Sequence, residues 1–286
     1  MAAHVLSPGR RPGARQRRET HDDGTTRRHP VWADAAFADP EGAKAFYGEV
    51  LGWTFDEAAS EFGGYTRALK DGRAVAAVVP PAPGQERHSA WVLYLATADA
   101  AAAAERVRAA GGSVPLEPVK VGDSGTMAIA RDPAGVVFGL WQADAHRGFE
   151  LRDAPGGYGW AEVFTRDTAA ANAFFPQVFP YRVRRIVDDR VDYSVYSLGD
   201  EPALGAMGMG PDVPVQVPPY VSVYFVVDDC DAAAGRAVQA GGQLVFGPMT
   251  TPFGRSASFV DPQGAAFSLI DPGAAEGEPP STVEVA

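Results

Sequence analysis

Short apolar runs alternate with Ala-rich amphipathic stretches along most of this chain, and the alternation keeps a fixed order. A strand-like run leads to an Asp, a helix-like stretch follows, and further short apolar runs come next, set apart by Gly, Asp and Pro. Asp39 and Asp167 stand where a helix should open, and Asp99 and Asp229 do the same further on. Asp suits that place because its carboxylate accepts the free N–H groups of a first helical turn. Gly111–Gly112 and Gly241–Gly242 end the later helices, since glycine tolerates the left-handed conformation that closes a helix. The segments 132–135 (DPAG) and 261–264 (DPQG) read as type I turns joining two final strands. The pattern predicts the unit βαβββ four times over.

The four units fall into two pairs. WADAAFADPEGAKAFY, residues 32–47, returns as WAEVFTRDTAAANAFF, residues 160–175. Trp32 and Trp160, Asp34 and Glu162, Phe46 and Phe174, Tyr47 and Phe175, and Tyr65 and Tyr193 all stand 128 residues apart. Residues 93–112 match 223–242, and 131–141 match 260–270, with the offset drifting by one or two residues. The chain is a tandem duplication. The expected division is a disordered basic tail over 1–29, a first domain over 30–146, a Gly- and charge-rich linker over 147–157, a second domain over 158–272, and a disordered tail over 273–286.

Hydrophobic residues make up 46% of the chain and aromatics 10%, enough to build real cores. The formal net charge is -11, and the Arg-rich first 29 residues leave the remainder more acidic still. A surface of that sign does not neutralise phosphates, so nucleic acid is not an expected partner. No apolar run is long enough to span a bilayer, so no membrane is expected either. The lone cysteine, Cys230, forms no internal disulfide and fits a cytoplasmic location.

The ordered motifs carry a resemblance. They are W-x-D/E ahead of D-P-E-x-A-K-x-F-Y, the FGGY strand, W-V-x-Y before Asp99, A-A-G-G, and D-P-x-G-x-x-F-x-L. Over about 30–272 the chain resembles the vicinal oxygen chelate superfamily of glyoxalases, bleomycin resistance proteins and extradiol dioxygenases, and more narrowly its two-domain actinobacterial glyoxalase-like (hydroxylase-like) members. The resemblance implies an α+β fold of two tandem glyoxalase-like domains, each a cupped mixed sheet made of two βαβββ modules. It also implies that single-domain relatives pair so that their cups meet. Fusion would supply that pair within one chain, giving a monomer by internal pseudo-dimer, or a homodimer.

In metal-using branches the resemblance places His, Gln or Glu ligands on the first and last strands of the modules. The first-strand slots here hold Trp32, Val92, Trp160 and Ser222, and the last-strand slots hold Gly139 and Ser268. Of five histidines, three lie in the tail and none in the second domain. Neither a metal nor an organic cofactor is therefore expected.

Side chains alternate between the faces of a strand, which sets the expected cup lining. Trp32, Tyr94, Trp141, Trp160, Ser222, Tyr224 and Ser268 are the candidate ligand-binding residues. Asp34 and Glu162 are candidate acid/base groups, whose pKa values desolvation beside indole would raise. Three readings stay open. The first is a metal-independent module that binds a small aromatic or apolar molecule, in secondary metabolism or in antibiotic resistance by sequestration. The second is a metal-free biosynthetic enzyme using Asp34 or Glu162 for cyclisation, isomerisation or hydration. The third, on fold analogy alone, is a metal-dependent lyase or dioxygenase. The Met- and Pro-rich segment 207–220 is a candidate lid, and Arg87 and His88 are candidate rim contacts for an anionic ligand.

Overall fold

The computed structural model describes residues 30–57, 63–81, 89–188 and 190–285. The tail before Pro30 and the segment holding Arg87 and His88 lie outside the described residues. In the first half, β1 (Pro30–Ala36), α1 (Pro40–Leu51), β2 (Thr54–Phe55), β3 (Thr66–Lys70) and β4 (Arg73–Val79) make one unit. The next unit is β5 (Trp91–Ala96), α2 (Ala100–Ala109), β6 (Ser113–Val121), β7 (Gly125–Arg131) and β8 (Val137–Ala143). The second half repeats both, first as β9 (Tyr158–Thr165), α3 (Thr168–Val178), β10 (Arg182–Ile186), β11 (Tyr193–Leu198) and β12 (Glu201–Gly208). The last unit is β13 (Tyr220–Val226), α4 (Cys230–Gln239), β14 (Gln243–Thr251), β15 (Gly254–Val260) and β16 (Ala266–Asp271), and β17 (Thr282–Glu284) closes the chain.

Local chemistry sets the element ends. Asp39, Asp99, Asp167 and Asp229 each accept the N–H three residues on, at 2.8–3.0 Å. Gly111 and Gly241, just past α2 and α4, take the positive φ that the helix stop requires. At the two turns, the Asp132 and Asp261 carboxylates accept the N–H groups of Val136 and Ala265.

Each half forms one mixed sheet, ordered β2-β3-β4-β1-β5-β8-β7-β6 and β14-β15-β16-β13-β9-β12-β11-β10 with β17 at the outer edge. The two units of a half meet along their first strands, antiparallel, with Trp32 opposite Tyr94 and Trp160 opposite Tyr224. The helices form a layer between the two sheets, α1 against α4 and α2 against α3. A continuous core runs through that layer from Ala33 and Ala35 to Phe267 and Leu269. Rings cross it from half to half: Phe46 meets Phe267 at 5.7 Å, Trp53 meets Phe225 at 4.9 Å, and Phe138 meets Phe175 at 5.5 Å. Trp32 and Trp160 stand on the opposite face of their strands from Ala33 and Ala161. The cups therefore face outward, away from each other, which corrects the expectation that they meet. The physical reason is that the apolar stripes of the four helices need mutual burial, and the helix faces supply it.

The connecting and C-terminal segments both join the body. The segment 147–157 is strapped into the body: Phe149 N–H donates to the Val31 carbonyl at 2.7 Å, Glu150 N–H to the Ala74 carbonyl at 2.8 Å, and Leu151 is buried. The tail over 273–286, expected to be disordered, instead adds β17 to β10, and Val285 N–H donates to the Val183 carbonyl. An open sheet edge offers a row of unpaired N–H and C=O groups, and any extended segment within reach can pair with it. Cys230 is a buried first residue of α4, and burial pushes its thiol up to about 11.

The duplication leaves one imperfect bond at the seam between the halves. Trp91 Nε1 donates to the Tyr47 hydroxyl, which donates to Asp261 Oδ2, both at 2.9 Å. In the sister arrangement Phe175 replaces Tyr47, and the buried Asp132 Oδ2 has no partner. Phe175→Tyr is expected to supply the missing hydroxyl and raise stability by about 1 kcal/mol, read as a melting-temperature increase of a few degrees. Tyr47→Phe is expected to do the reverse, since it strands both Asp261 and the Trp91 N–H.

Candidate functional site

The cup face of each sheet carries the same four groups at equivalent places. In the first cup, Trp32 Nε1 donates to the Tyr65 hydroxyl at 2.6 Å, and the Tyr94 hydroxyl donates to Asp34 Oδ1 at 3.3 Å. In the second, Trp160 Nε1 donates to the Tyr193 hydroxyl at 3.1 Å, and the Tyr224 hydroxyl donates to Glu162 Oε2 at 2.6 Å. An indole, a carboxyl and two phenols thus recur together. Tyr65 and Tyr193, which stand 128 residues apart in the repeat, belong to the constellation through their hydroxyls.

The two cups are nevertheless different objects. In the first, Trp32, Tyr94 and Trp141 pack into a closed cluster with Ala74 and Ala77, and each ring is at most 7% exposed. His146 lays its ring edge-on against Trp32 at 4.5 Å, and Phe149 covers Trp32 from the other side at 5.5 Å. Tyr94 occupies the space above Gly139, where a Cβ would run into its ring. Trp141 Nε1 is tied to the His146 carbonyl at 2.9 Å. Trp32, Tyr94 and Trp141 are therefore the filling of this cup. His146 and Phe149 gave no signal in the sequence because they reach Trp32 from an irregular segment without periodicity.

In the second cup Trp160, Tyr193 and Tyr224 are half-buried, so each is partly open to solvent. Glu162 lies beneath them at 7% exposure. Phe164 and Tyr220 stack in parallel at 4.8 Å at one end of the same face, where the first cup has only Ala36 and Ala90. Ser222 and Ser268 are buried and joined through their hydroxyls at 3.0 Å. The segment leading to Tyr220 is clasped by Arg166, whose guanidinium donates to the carbonyls of Val213, Pro214 and Val217. That bond set fixes the segment named as a candidate lid. Two surface hollows of about 460 and 440 Å³ are present, one between α1 and the Asp261 turn and one over the segment 145–150 whose His146 and Phe149 cover Trp32. Neither is lined by Asp34 or Glu162, and the chemistry is placed by the carboxyls rather than by hollow size.

Burial governs both carboxyls. Desolvation lifts Asp34 from 3.8 to about 7, opposed by the Tyr94 hydroxyl. Glu162 is raised for the same reason, opposed by the hydroxyls of Tyr224 and Tyr193. The Asp34 shift predicts a pH dependence. The folded chain keeps the Asp34 proton up to about pH 7, whereas the unfolded chain releases it near 3.8. Between those values the folded state holds more protons, so stability falls as pH rises and levels off above about 7. Asp34→Asn is expected to abolish that decline. It gains stability on the wild type from about pH 4 to 7, by at most about 4 kcal/mol, in urea unfolding at stepped pH.

The superfamily resemblance calls for a test of fit to a divalent ion. The slots that would hold ligands carry indole at Trp32 and Trp160, Val92, serine hydroxyls at Ser222 and Ser268, and no side chain at Gly139. Each cup offers one carboxyl, already bonded to a phenol. Among the described residues no three His, Cys, Asp or Glu side chains come together. Divalent first-row ions are held by imidazole and carboxylate sets with open positions, and this donor set does not fit one.

Fold and residue pattern together define the class. The glyoxalase/bleomycin resistance protein/dioxygenase superfamily model matches residues 29–140 and again 157–269, and the chain belongs to that superfamily. Its relatives sharpen the placement. It is 36% identical over 256 residues to the anthracycline biosynthesis protein DnrV of Streptomyces peucetius, covering 85% of this chain and 92% of that one. It is 37% identical over 250 residues to CFP32 of Mycobacterium tuberculosis, whose glyoxylase assignment is provisional, covering 85% and 94%. The Mn(II)-bound glyoxalase of Novosphingobium aromaticivorans superposes with a TM-score of 0.59 at 17% identity, over 88% of this chain and 87% of that one, which shows the shared fold. Among the described residues no helix is long and apolar enough to cross a membrane.

Proposed function

We propose that this protein is a metal-independent member of its superfamily that binds a small, flat aromatic molecule in the second cup, in secondary metabolism. One observation carries the reading. Half-buried aromatic rings surround a buried carboxyl in the second cup, while in the first cup the rings of Trp32, Tyr94 and Trp141 are packed shut against one another and Asp34 and Tyr65 are half-buried. Aromatic walls with few placed polar groups suit a planar ligand, which gains from stacking and from a single directional hydrogen bond. The relatives named for anthracycline biosynthesis support the setting in secondary metabolism.

The raised Glu162 carboxyl favours one further reading, an enzyme that gives a proton to, or takes one from, the bound molecule. Glu162→Gln separates the two. Binding that persists while turnover of a bound substrate disappears establishes Glu162 as the acid/base group; turnover unchanged by the substitution removes Glu162 from that role, and a bound ligand that wild type does not turn over leaves the binding reading alone.

The test of the main reading is a native mass spectrum of freshly purified protein, followed by titration with planar aromatic probes monitored by tryptophan fluorescence. The expected result is saturable quenching at one site, with no stoichiometric divalent metal. An equimolar metal ion removes the metal-independent reading, and the lack of any saturable binding removes the binding reading.

A further inference from the structure

The duplication provides an internal control, because every cup-facing slot exists twice on one scaffold. Val92, Gly139, Met127 and Ile129 in the first cup correspond to Ser222, Ser268, Ser256 and Ser258 in the second. The pairings fix these equivalences: Met127 stands opposite Trp141 and Ile129 opposite Gly139, while Ser256 stands opposite Ile270 and Ser258 opposite Ser268. Four adjoining positions that are apolar or bare in one cup are hydroxyl-bearing in the other. The first cup shows that this sheet geometry needs no hydroxyl there. Buried hydroxyls cost stability unless they are bonded, so the serines require their own explanation.

Their bonding shows a built arrangement. Ser222, Ser268 and Ser258 form a row, with Oγ separations of 3.0 and 2.9 Å. Tyr224 stands over the row and links it to Glu162. Ser222 and Ser268 are buried, whereas Ser256 and Ser258 are half-buried at the open side. A row of three hydroxyls runs in either direction. With one polarity Ser258 presents a lone pair to the cup, and with the other it presents its O–H. Such an end group serves a phenolic hydroxyl and a carbonyl equally well.

We infer that the serine wall of the second cup selects planar ligands carrying hydroxyl or carbonyl oxygens along one edge, with Ser258 and Ser256 as the specificity-determining residues. The inference rests on the proposed binding in this cup. The aromatic rings hold the face of the ligand and the serines read its edge, so losing the serines affects only oxygenated ligands. A site built around hydrogen bonds discriminates strongly against a partner that leaves them unmade.

The test uses two probes on the full chain: 1,8-dihydroxyanthraquinone, with three oxygens on one edge, and anthracene, the same three-ring frame without oxygen. Wild-type protein is expected to prefer the dihydroxy probe by about tenfold or more. The Ser256→Ala/Ser258→Ala double variant is expected to lose that preference while binding anthracene within about twofold of wild type. Ser258→Thr, which keeps the hydroxyl, is expected to retain the preference, and melting curves establish that each variant is folded. Equal affinity of wild type for both probes, or an unchanged preference in the double variant, overturns the serine assignment and leaves binding in the cup standing. If neither probe binds wild type, the binding reading itself fails and the inference with it.

Discussion

Replacing Trp53 by Ala is expected to destabilise the whole chain by about 3–5 kcal/mol, the range for removing a large buried aromatic. Trp53 lies at the seam of the two halves. It stacks on Tyr47 at 5.5 Å, meets Phe225 edge-on at 4.9 Å, and donates its N–H to the Gly156 carbonyl at 2.7 Å. Truncation leaves a void between the sheets and an unpaired carbonyl in the connecting segment. For a chain of this size the loss corresponds to a melting-temperature decrease on the order of 10 °C. Because Trp53 touches both halves, a single cooperative transition is expected, with both sheets lost together. Two separated transitions, only one of them shifted by Trp53→Ala, would show that the halves are independently stable. The segments 30–146 and 158–272 expressed apart are expected to be unfolded or aggregated, since each leaves one side of its helices uncovered.

The second large effect concerns the two equivalent tryptophans. Trp160→Ala is expected to weaken binding of a planar aromatic probe by about 10- to 100-fold. That loss equals removal of roughly 60–110 Å² of apolar contact at ~25 cal/mol per Å². Trp32→Ala is expected to leave the same affinity within about twofold while lowering stability by about 3–5 kcal/mol, because Trp32 is enclosed by His146 and Phe149. The pair is informative because the residues are sequence equivalents. Comparable losses of affinity from both substitutions would mean that the first cup also opens to ligand. A stability loss without an affinity change at Trp160 would make the second indole a core plug as well.

Much of the architecture was legible from the chain alone, and for local reasons. Asp at the helix starts, Gly–Gly at their ends and the DPxG turns each act within a few residues, so the βαβββ unit can be read from spacing. The duplication gave the two halves, and strand alternation placed Trp32 with Asp34 and Trp160 with Glu162 on one face. The same alternation, carried one strand further into RSASFV, would have found Ser256 and Ser258.

What stayed hidden depends on contacts between distant segments. Trp32 and Trp160 occupy equivalent positions of the repeat, yet one is enclosed and the other half-open. The difference comes from His146 and Phe149, which lie more than a hundred residues from Trp32 in an irregular segment. The attachment of residues 282–284 to β10 likewise needs an open sheet edge that exists only once the second sheet has formed. The sequence by itself determined the four units, their caps and the recurring indole, phenol and carboxyl groups, because these follow from short-range hydrogen bonding and strand periodicity. Only the tertiary structure decided that the helices are shared, that the cups face outward, and that one cup is filled by its own rings, because burial is settled by which distant surfaces come to cover each other.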